Sequence, residues 1–264
     1  MRMGRLFSVG IACAAVFMVL TAGANNAFAA PIKNIVLVHG AFVDGSCWSK
    51  VIPMLQAKGY HVTAVQLPLT SLADDTATTQ RAIARENGPV ILVGHSWGGV
   101  VITEAGMDPK VAGLVYVAAF APEQGEPAGA LGKNYPPPPA LAAPIVDAKG
   151  FMTLSLVVFK KFGSDLPEAA AAVACATQGP INAASFGATV SGVAWKTKPS
   201  WYIVSSLDQA IAPEQERFYA KRVKATTTEL KASHVSMLSQ PNAVAAVIMD
   251  AAAKAGASAK GATK

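Results

Sequence analysis

The chain has 264 residues, of which 52% are hydrophobic and 14% are charged, and its formal net charge is +6 at pH 7. This length and apolar content are sufficient for one three-layer α/β domain with a sizeable core. No basic stripe is interleaved with aromatic residues, so the positive charge does not indicate a nucleic-acid-binding surface.

The amino terminus resembles a secretory signal. Arg2 and Arg5 precede an uncharged apolar run over residues 6–20, and Ala27-Phe28-Ala29 supplies the small residues that a signal peptidase reads. We predict that residues 1–29 are a signal peptide cleaved after Ala29, that the mature protein is periplasmic or secreted, and that it makes no membrane contact after cleavage. A retained membrane anchor is the alternative, because the run is marginal for spanning a bilayer.

Residues 30–264 are predicted to form a single domain. Nearly continuous apolar runs are typical of parallel strands that are covered on both faces, and they occupy residues 35–38, 62–65, 90–93, 111–117 and 201–204. Helical stretches alternate with them over residues 48–58, which Pro53 interrupts, and over 76–86, 98–105, 213–223 and 241–254. Asp74 and Asp75 precede the second helix, where carboxylates favour the helix dipole. The alternation predicts an α/β fold with a doubly wound, mostly parallel sheet.

A nucleophile elbow is predicted at Gly94-His95-Ser96-Trp97-Gly98. The segment follows the apolar run 90–93 and precedes an apolar helix that stops at Asp108-Pro109. In such an elbow the serine takes a strained backbone conformation and its hydroxyl stands exposed above the sheet edge. The alternative is a chance match in a glycine-rich loop.

Residues 122–197 interrupt the α/β alternation. They contain Pro136-Pro137-Pro138-Pro139, an apolar stretch over 151–159 and an alanine-rich stretch over 168–176. Because they are inserted between two predicted sheet strands, we expect a cap over Ser96. An apolar cap indicates a substrate with an apolar acyl or alcohol group, although the same side chains could simply pack the cap against the body.

A serine nucleophile needs a base and an acid that orients the base. His234 is the best candidate for the base, because it lies on a short loop between the strand-like residues 226–230 and a helix near Pro241. The other three histidines fit less well, since His39 is expected to shape a loop, His61 to be solvated at a strand end, and His95 to point away from the serine within the elbow.

Asp208 is the best candidate for the acid. It lies in the turn after the buried run 201–206, and a carboxylate there would fix the tautomer of the histidine. Glu123, which follows the strand over residues 113–119, and Asp165, in the predicted cap, are the alternatives.

An oxyanion hole requires two backbone N–H groups near the developing charge. Trp97 follows the nucleophile and supplies one of them. The second is expected from the loop His39-Gly40-Ala41-Phe42 after the first strand, and Ala41 is the best single candidate.

These motifs together resemble the α/β-hydrolase superfamily, and within it the branch of plant methyl-ester hydrolases and hydroxynitrile lyases with bacterial carboxylesterases. The resemblance implies the α/β-hydrolase fold, a triad of Ser96, Asp208 and His234, and an oxyanion hole at Ala41 and Trp97. It implies a serine esterase acting on a small-molecule ester with apolar or aromatic groups, and no cofactor is expected.

The residue after the histidine separates two chemistries of that branch. Its lyases carry a lysine there, which helps to hold cyanide, whereas this chain has Val235. Ester hydrolysis is therefore favoured over cyanohydrin cleavage. Several alternatives on the same scaffold stay open. They are lactone hydrolysis, acyl transfer, perhydrolysis, another lyase reaction and a ligand-binding receptor.

Cys47 and Cys175 are the cysteines that remain after the predicted cleavage. We expect two separate thiols, and a disulfide that ties the cap to the body is the alternative. No cysteine or histidine cluster has metal-ligand spacing, so no metal site is expected.

Overall fold

The computed structural model of the chain describes Met1 and residues 32–258. The predicted signal peptide beyond Met1, with its cleavage site after Ala29, lies outside the described residues.

Residues 32–258 contain one large parallel sheet and one small antiparallel sheet. Their strands are β1 (Asn34–Val38), β2 (His61–Ala64), β3 (Val90–His95), β4 (Val111–Val117), β5 (Ile145–Val146), β6 (Phe151–Thr153), β7 (Ile181–Asn182), β8 (Ser200–Ser205) and β9 (Thr226–Leu230). The large sheet has the order β2-β1-β3-β4-β8-β9, and each of its strand pairs is parallel. The chain winds in opposite directions from β1 and β3, so the crevice outside their carboxyl ends is the place where such sheets bind ligands.

Helices cover both faces of the large sheet. They are α1 (Val51–Gln56), α2 (Leu72–Arg85), α3 (Gly98–Ala105), α4 (Leu156–Phe162), α5 (Glu168–Ala176), α6 (Pro213–Arg222), α7 (Ser236–Ser239) and α8 (Pro241–Ser258). α1 packs with α8 on one face, and α2 packs with α3 on the other. The predicted doubly wound, mostly parallel α/β sheet is confirmed.

The burial of each strand follows its sequence. β1 and β3 are apolar along almost their whole length and are buried at every position, as strands between two helical layers must be. β9 reads Thr-Thr-Thr-Glu-Leu, lies at the edge of the sheet and is mostly exposed. A polar edge strand is protected from pairing with other chains.

The helix predicted over residues 48–58 differs from the structure. A 3-10 turn (Gly45–Trp48) precedes the shorter α1, and Pro53 lies within the first turn of α1 rather than interrupting a longer helix. Proline is tolerated at that position because the first N–H groups of a helix have no intrahelical acceptor.

Residues 122–197, the predicted cap, lie between β4 and β8. They include the small β5-β6-β7 sheet together with α4 and α5. Phe159 and Phe162 of α4 are fully buried. Within the part of the chain that the structure describes, no helix has the length and apolar character needed to cross a membrane.

Candidate active site

Ser96 lies in the sharp turn between β3 and α3. Its φ is 52°, in the left-handed region that residues other than glycine seldom adopt. The N–H of Ser96 donates to the carbonyl of Val117 (3.2 Å), and the carbonyl of Ser96 accepts from the N–H groups of Gly99 (2.9 Å) and Phe120 (3.2 Å). These hydrogen bonds hold the strained conformation, which directs the side chain to the carboxyl edge of the sheet.

Two glycines let the loop after β1 approach this turn. A Cβ on Gly40 would lie 2.7 Å from the Cβ of Ser96, and a Cβ on Gly98 would lie 2.7 Å from the carbonyl oxygens of Val38 and His39. Both distances are too short for any side chain without backbone movement. The spacing of glycines in the sequence therefore reflects a close contact between the loops that follow β1 and β3.

Asp208 and His234 are paired after β8 and β9. Oδ2 of Asp208 accepts a hydrogen bond from Nδ1 of His234 at 2.5 Å, and Oδ1 accepts from the N–H groups of Ala210 (2.6 Å) and Ile211 (3.0 Å). With its proton on Nδ1, the neutral imidazole carries its lone pair on Nε2. Within residues 32–258, Nε2 of His234 is buried and has no hydrogen-bond partner.

Ser96 and His234 line one small cavity, which we call the catalytic cavity. Its volume is about 10 Å³, and its other lining residues are Ala41, Phe42, Phe120, Leu141, Phe162, Phe186, Ala210 and Ile211. Phe162 contacts the imidazole of His234 edge to face, with ring centroids 4.5 Å apart. The structure thus brings Ser96, His234 and Ala41 together, and Asp208 lies behind the imidazole.

Both residues predicted to supply the N–H donors lie near Ser96. Ala41 lines the catalytic cavity and Trp97 is the next residue after Ser96. In the described part of the chain, neither N–H donates to a protein acceptor. Phe42, next to Ala41, has a φ of 62°, so the loop after β1 also carries a strained residue.

The alternative acids occupy other positions. Glu123 forms an ion pair with Lys196 at 2.5 Å. Asp165 accepts hydrogen bonds from the N–H of Ser233 (2.9 Å) and from its hydroxyl. Asp165 therefore ties the inserted segment to the residue before His234, a role that its sequence position did not indicate.

The remaining histidines have structural contacts. His39 accepts from the N–H of Leu67 through Nε2 (2.9 Å) and donates through Nδ1 to the carbonyl of Gly40 (2.8 Å). Burial lowers the pKa of His39, which agrees with a neutral ring that shapes a loop. His61 is exposed at the first residue of β2, as expected, and pairs with the carboxylate of Glu86 at 2.7 Å.

His95 has a contact that the sequence did not reveal. Its Nε2 donates to the backbone carbonyl of His234 at 3.0 Å, and the two rings lie 4.7 Å apart. The pKa of His95 lies well below its usual value, mainly because the ring is buried. The ring is therefore neutral at physiological pH. His95 therefore positions the backbone of His234 from beside Ser96.

Glu216 of α6 is a second buried carboxyl next to Asp208. It is fully buried, its Oε2 accepts from the N–H of Ser205 (2.9 Å), and its Oε1 is buried without a hydrogen-bond partner within residues 32–258. Burial and the adjacent Asp208 raise the pKa of Glu216 well above its usual value. A protonated Glu216 could donate from Oε1 to Asp208, whereas two ionised carboxylates would repel each other there.

Asp75 supports the indole of Trp97. Its Oδ2 accepts from Nε1 of Trp97 (2.8 Å), and its Oδ1 accepts from the N–H of Leu69 (2.8 Å). Burial raises the pKa of Asp75 to about 6. The indole of Trp97 contacts Phe186, with ring centroids 5.4 Å apart, so the carboxylate of Asp75 holds one wall of the catalytic cavity through Trp97.

Cys47 and Cys175 are free thiols, so the disulfide alternative does not occur in this structure. Burial raises the pKa of both thiols. Within residues 32–258, no group of three or more His, Cys, Asp or Glu side chains is placed to hold a metal ion.

Curated relatives match part of the chain. A pyrethroid hydrolase from Sphingobium wenxiniae is 35% identical over 101 residues, which is 33% of this chain and 36% of that protein. Methylesterase 7 from Arabidopsis thaliana is 38% identical over 112 residues, which is 36% of this chain and 43% of that protein. The matched segments span less than half the length of either relative.

Structural similarity extends further along the chain. The crystal structure of a pyrethroid hydrolase from Sphingobium faniae JZ-2 superposes with a TM-score of 0.71 at 26% identity, over 84% of this chain and 97% of that chain. A family model described as the alpha/beta hydrolase family matches residues 35–247. The resemblance to plant methylesterases and bacterial esterases is confirmed, and the chain belongs to the alpha/beta hydrolase family.

Proposed function

We propose that this protein is a serine carboxylic-ester hydrolase that acts through an acyl-enzyme on Ser96. The observation that carries the proposal is the hydrogen bond between Asp208 and Nδ1 of His234, which leaves Nε2 unpartnered on a residue that lines the same cavity as Ser96. That arrangement supports the assignment of Ser96 as the nucleophile, His234 as the base and Asp208 as the acid that orients the base.

In the first half of the reaction, Oγ of Ser96 attacks the ester carbonyl carbon while Nε2 of His234 takes the hydroxyl proton. The carboxylate of Asp208 stabilises the imidazolium that forms. The negative charge on the former carbonyl oxygen is stabilised by the N–H groups of Ala41 and Trp97. When the carbon–oxygen bond to the alcohol breaks, the imidazolium returns its proton to the leaving oxygen.

In the second half, water hydrolyses the acyl-enzyme. Nε2 of His234 takes one proton from the water while its oxygen attacks the acyl carbon, and the same N–H groups hold the charge. The bond to Oγ of Ser96 then breaks, and the proton returns from His234 to Oγ. The products are an alcohol and a carboxylic acid, and the enzyme is regenerated.

The substrates that fit this site are small esters with apolar or aromatic groups. Phe42, Phe120, Phe162 and Phe186 surround the reacting groups, and the matched relatives are a pyrethroid hydrolase and a methylesterase by name. Val235 is fully buried beside His234 and offers no cation to a cyanide ion, which favours hydrolysis over cyanohydrin cleavage.

The proposed site of action is the periplasm or the exterior of the cell, because residues 1–29 have the pattern of a cleaved signal peptide. Mass determination of the mature amino terminus tests this part of the proposal. Processing after Ala29 supports it, and a mature protein that still begins with Met1 contradicts it.

Turnover of short-chain aryl esters tests the esterase proposal. Wild type should hydrolyse them, and Ser96→Ala should reduce kcat by several orders of magnitude. Ser200→Ala is the matched control, because both serines are 6% exposed and Ser200 lies at the opposite end of the sheet. Equal rates for wild type and Ser96→Ala would contradict the proposal.

A further inference from the structure

The catalytic cavity is too small for a whole ester. Its volume of about 10 Å³ corresponds to the room needed for one water molecule. Pockets that bury a small organic ligand have volumes of about 300–1,000 Å³. An ester that reacts at Ser96 must therefore place its larger substituent in space beyond the catalytic cavity.

A second cavity, which we call the side cavity, adjoins the catalytic cavity. Its volume is about 290 Å³, and it shares Phe120, Leu141, Phe186 and Ala210 with the catalytic cavity. These four side chains therefore form a common wall. Ser96 lies on one side of this wall, and a space of ligand size lies on the other.

The remaining lining of the side cavity is largely apolar. It includes Ala128, Pro136, Pro138 and Ala212. The amide nitrogen of Gln215, which also lines the cavity, already donates to the carbonyl of Leu131 (2.9 Å) and the hydroxyl of Tyr219 (2.6 Å). Among the lining residues, Lys133 alone carries a formal charge, and it is exposed. An uncharged aliphatic or aryl group matches this chemistry, and a cationic group would be repelled.

A third cleft of similar size is less suited to the same role. It has a volume of about 300 Å³ and lies between the residues after Phe42 and α5, with Val43, Cys47, Val173 and Leu238 in its lining. None of its lining residues also lines the catalytic cavity. It therefore shares no wall with the catalytic cavity.

We propose that the side cavity is the subsite for the larger apolar substituent of the ester, and that this substituent reaches Ser96 past Leu141 and Phe186. This inference rests on the proposed esterase function. It specifies the substrate class as uncharged esters with one extended aliphatic or aryl group, and it assigns chain-length selectivity to residues 128–141 of the inserted segment.

A larger side chain at Gly132 adds volume to the lining of the side cavity without a clash at its Cβ. Gly132 lines the cavity, and a Cβ built on it would have no heavy atom within 4 Å. Gly187 is a matched control, because its Cβ would also meet nothing within 4 Å and it lines neither cavity. Leu141→Ala provides the opposite change, because it removes side-chain volume between the catalytic cavity and the side cavity.

The experiment measures kcat/KM for two ester series with wild type, Gly132→Leu, Leu141→Ala and Gly187→Leu. In the first series p-nitrophenyl acetate is compared with p-nitrophenyl octanoate, and in the second methyl acetate is compared with octyl acetate. Gly132→Leu should lower the long-to-short ratio of kcat/KM by ~10-fold or more in one series. Leu141→Ala should raise that ratio, and Gly187→Leu should leave it at the wild-type value.

A lowered ratio for the p-nitrophenyl esters would place the acyl group in the side cavity. A lowered ratio for the acetate esters would place the alcohol group there. Unchanged ratios in both series with Gly132→Leu, or a wild type that hydrolyses only the short esters, would overturn the subsite. Covalent labelling of Ser96 by a fluorophosphonate checks that each variant retains a folded site. Absence of Ser96-dependent turnover of every ester by wild type would instead refute the esterase function itself.

Discussion

Asp208 and His234, 26 positions apart, meet through a 2.5 Å hydrogen bond between Oδ2 and Nδ1. The parallel pairing of β8 with β9 makes this possible, because both residues follow the carboxyl ends of neighbouring strands. The two N–H groups on Oδ1 of Asp208 leave Oδ2 for the imidazole. The pair is therefore built into the sheet edge before any substrate binds.

Asp208→Asn should lower kcat by about four orders of magnitude, because an amide cannot hold the imidazole in the required tautomer or stabilise the imidazolium. The measurement is the steady-state rate on an aryl ester at neutral pH. Glu123→Gln is the control, since Glu123 pairs with Lys196 and should contribute little to the rate. A large loss with Glu123→Gln and a near-normal rate with Asp208→Asn would reverse the assignment of the acid.

Glu216 is expected to position Asp208 as a neutral hydrogen-bond donor. The amide introduced by Glu216→Gln can donate to Asp208 and accept from the N–H of Ser205, so kcat/KM should stay within about threefold of wild type at pH 7. Glu216→Leu removes both contacts and should cost ~10-fold or more, because a hydrogen bond to a charged group contributes ~1.5–3 kcal/mol.

A pH profile separates this role from simple packing. The groups whose charges act on Glu216 are Asp208 and Arg217, and Tyr202 lies close to the same pair. Wild type should lose activity as the pH rises through the raised pKa of Glu216, because Glu216 then ionises beside Asp208, and Glu216→Gln should lack that loss. Superimposable profiles for the two proteins would show that Glu216 does not donate to Asp208.

Asp75 should make the free energy of unfolding fall as pH rises. The usual pKa of 3.8 applies to the unfolded chain and about 6 to the folded one, so the unfolded state loses its proton first. Stability therefore decreases between about pH 4 and pH 6, by about 3 kcal/mol in total, and stays lower above that range. Chemical denaturation at several pH values measures it.

Asp75→Asn removes this titration, so the difference in unfolding free energy between wild type and variant should change across the same pH range. The variant should also be less stable at pH 4, because an amide offers only one acceptor to the two donors Trp97 Nε1 and Leu69 N–H. A difference that does not vary with pH would contradict the raised pKa of Asp75.

The parts of the fold that could be predicted from sequence are those with local signals. Apolar runs identified the buried strands, and the glycine spacing around Ser96 identified the elbow because it reflects steric limits. Asp208 and His234 could be chosen because few histidines and few turn carboxylates follow predicted strands. β9 coincides with the strand-like residues 226–230. The helix expected over 48–58 is shorter in the structure, where Pro53 lies in the first turn of α1.

Side-chain contacts between residues that are distant in sequence could not be predicted, because they leave no local pattern in the sequence. Asp75 was expected to favour a helix dipole, yet its carboxylate is buried against Trp97, 22 positions away. His95 was expected to point away from Ser96, and nothing in the sequence indicated that its ring contacts the carbonyl of His234. Such partners depend on how separate elements pack, so they could not be inferred from residue order.

Fluorophosphonate labelling tests most directly that Ser96 is the activated nucleophile. Peptide mass spectrometry should find the wild-type protein labelled at Ser96 and His234→Ala labelled far more slowly, because Nε2 of His234 must accept the hydroxyl proton. Circular dichroism confirms that both proteins are folded. A folded wild type that carries no label, or carries it on a serine other than Ser96, would contradict the proposed mechanism.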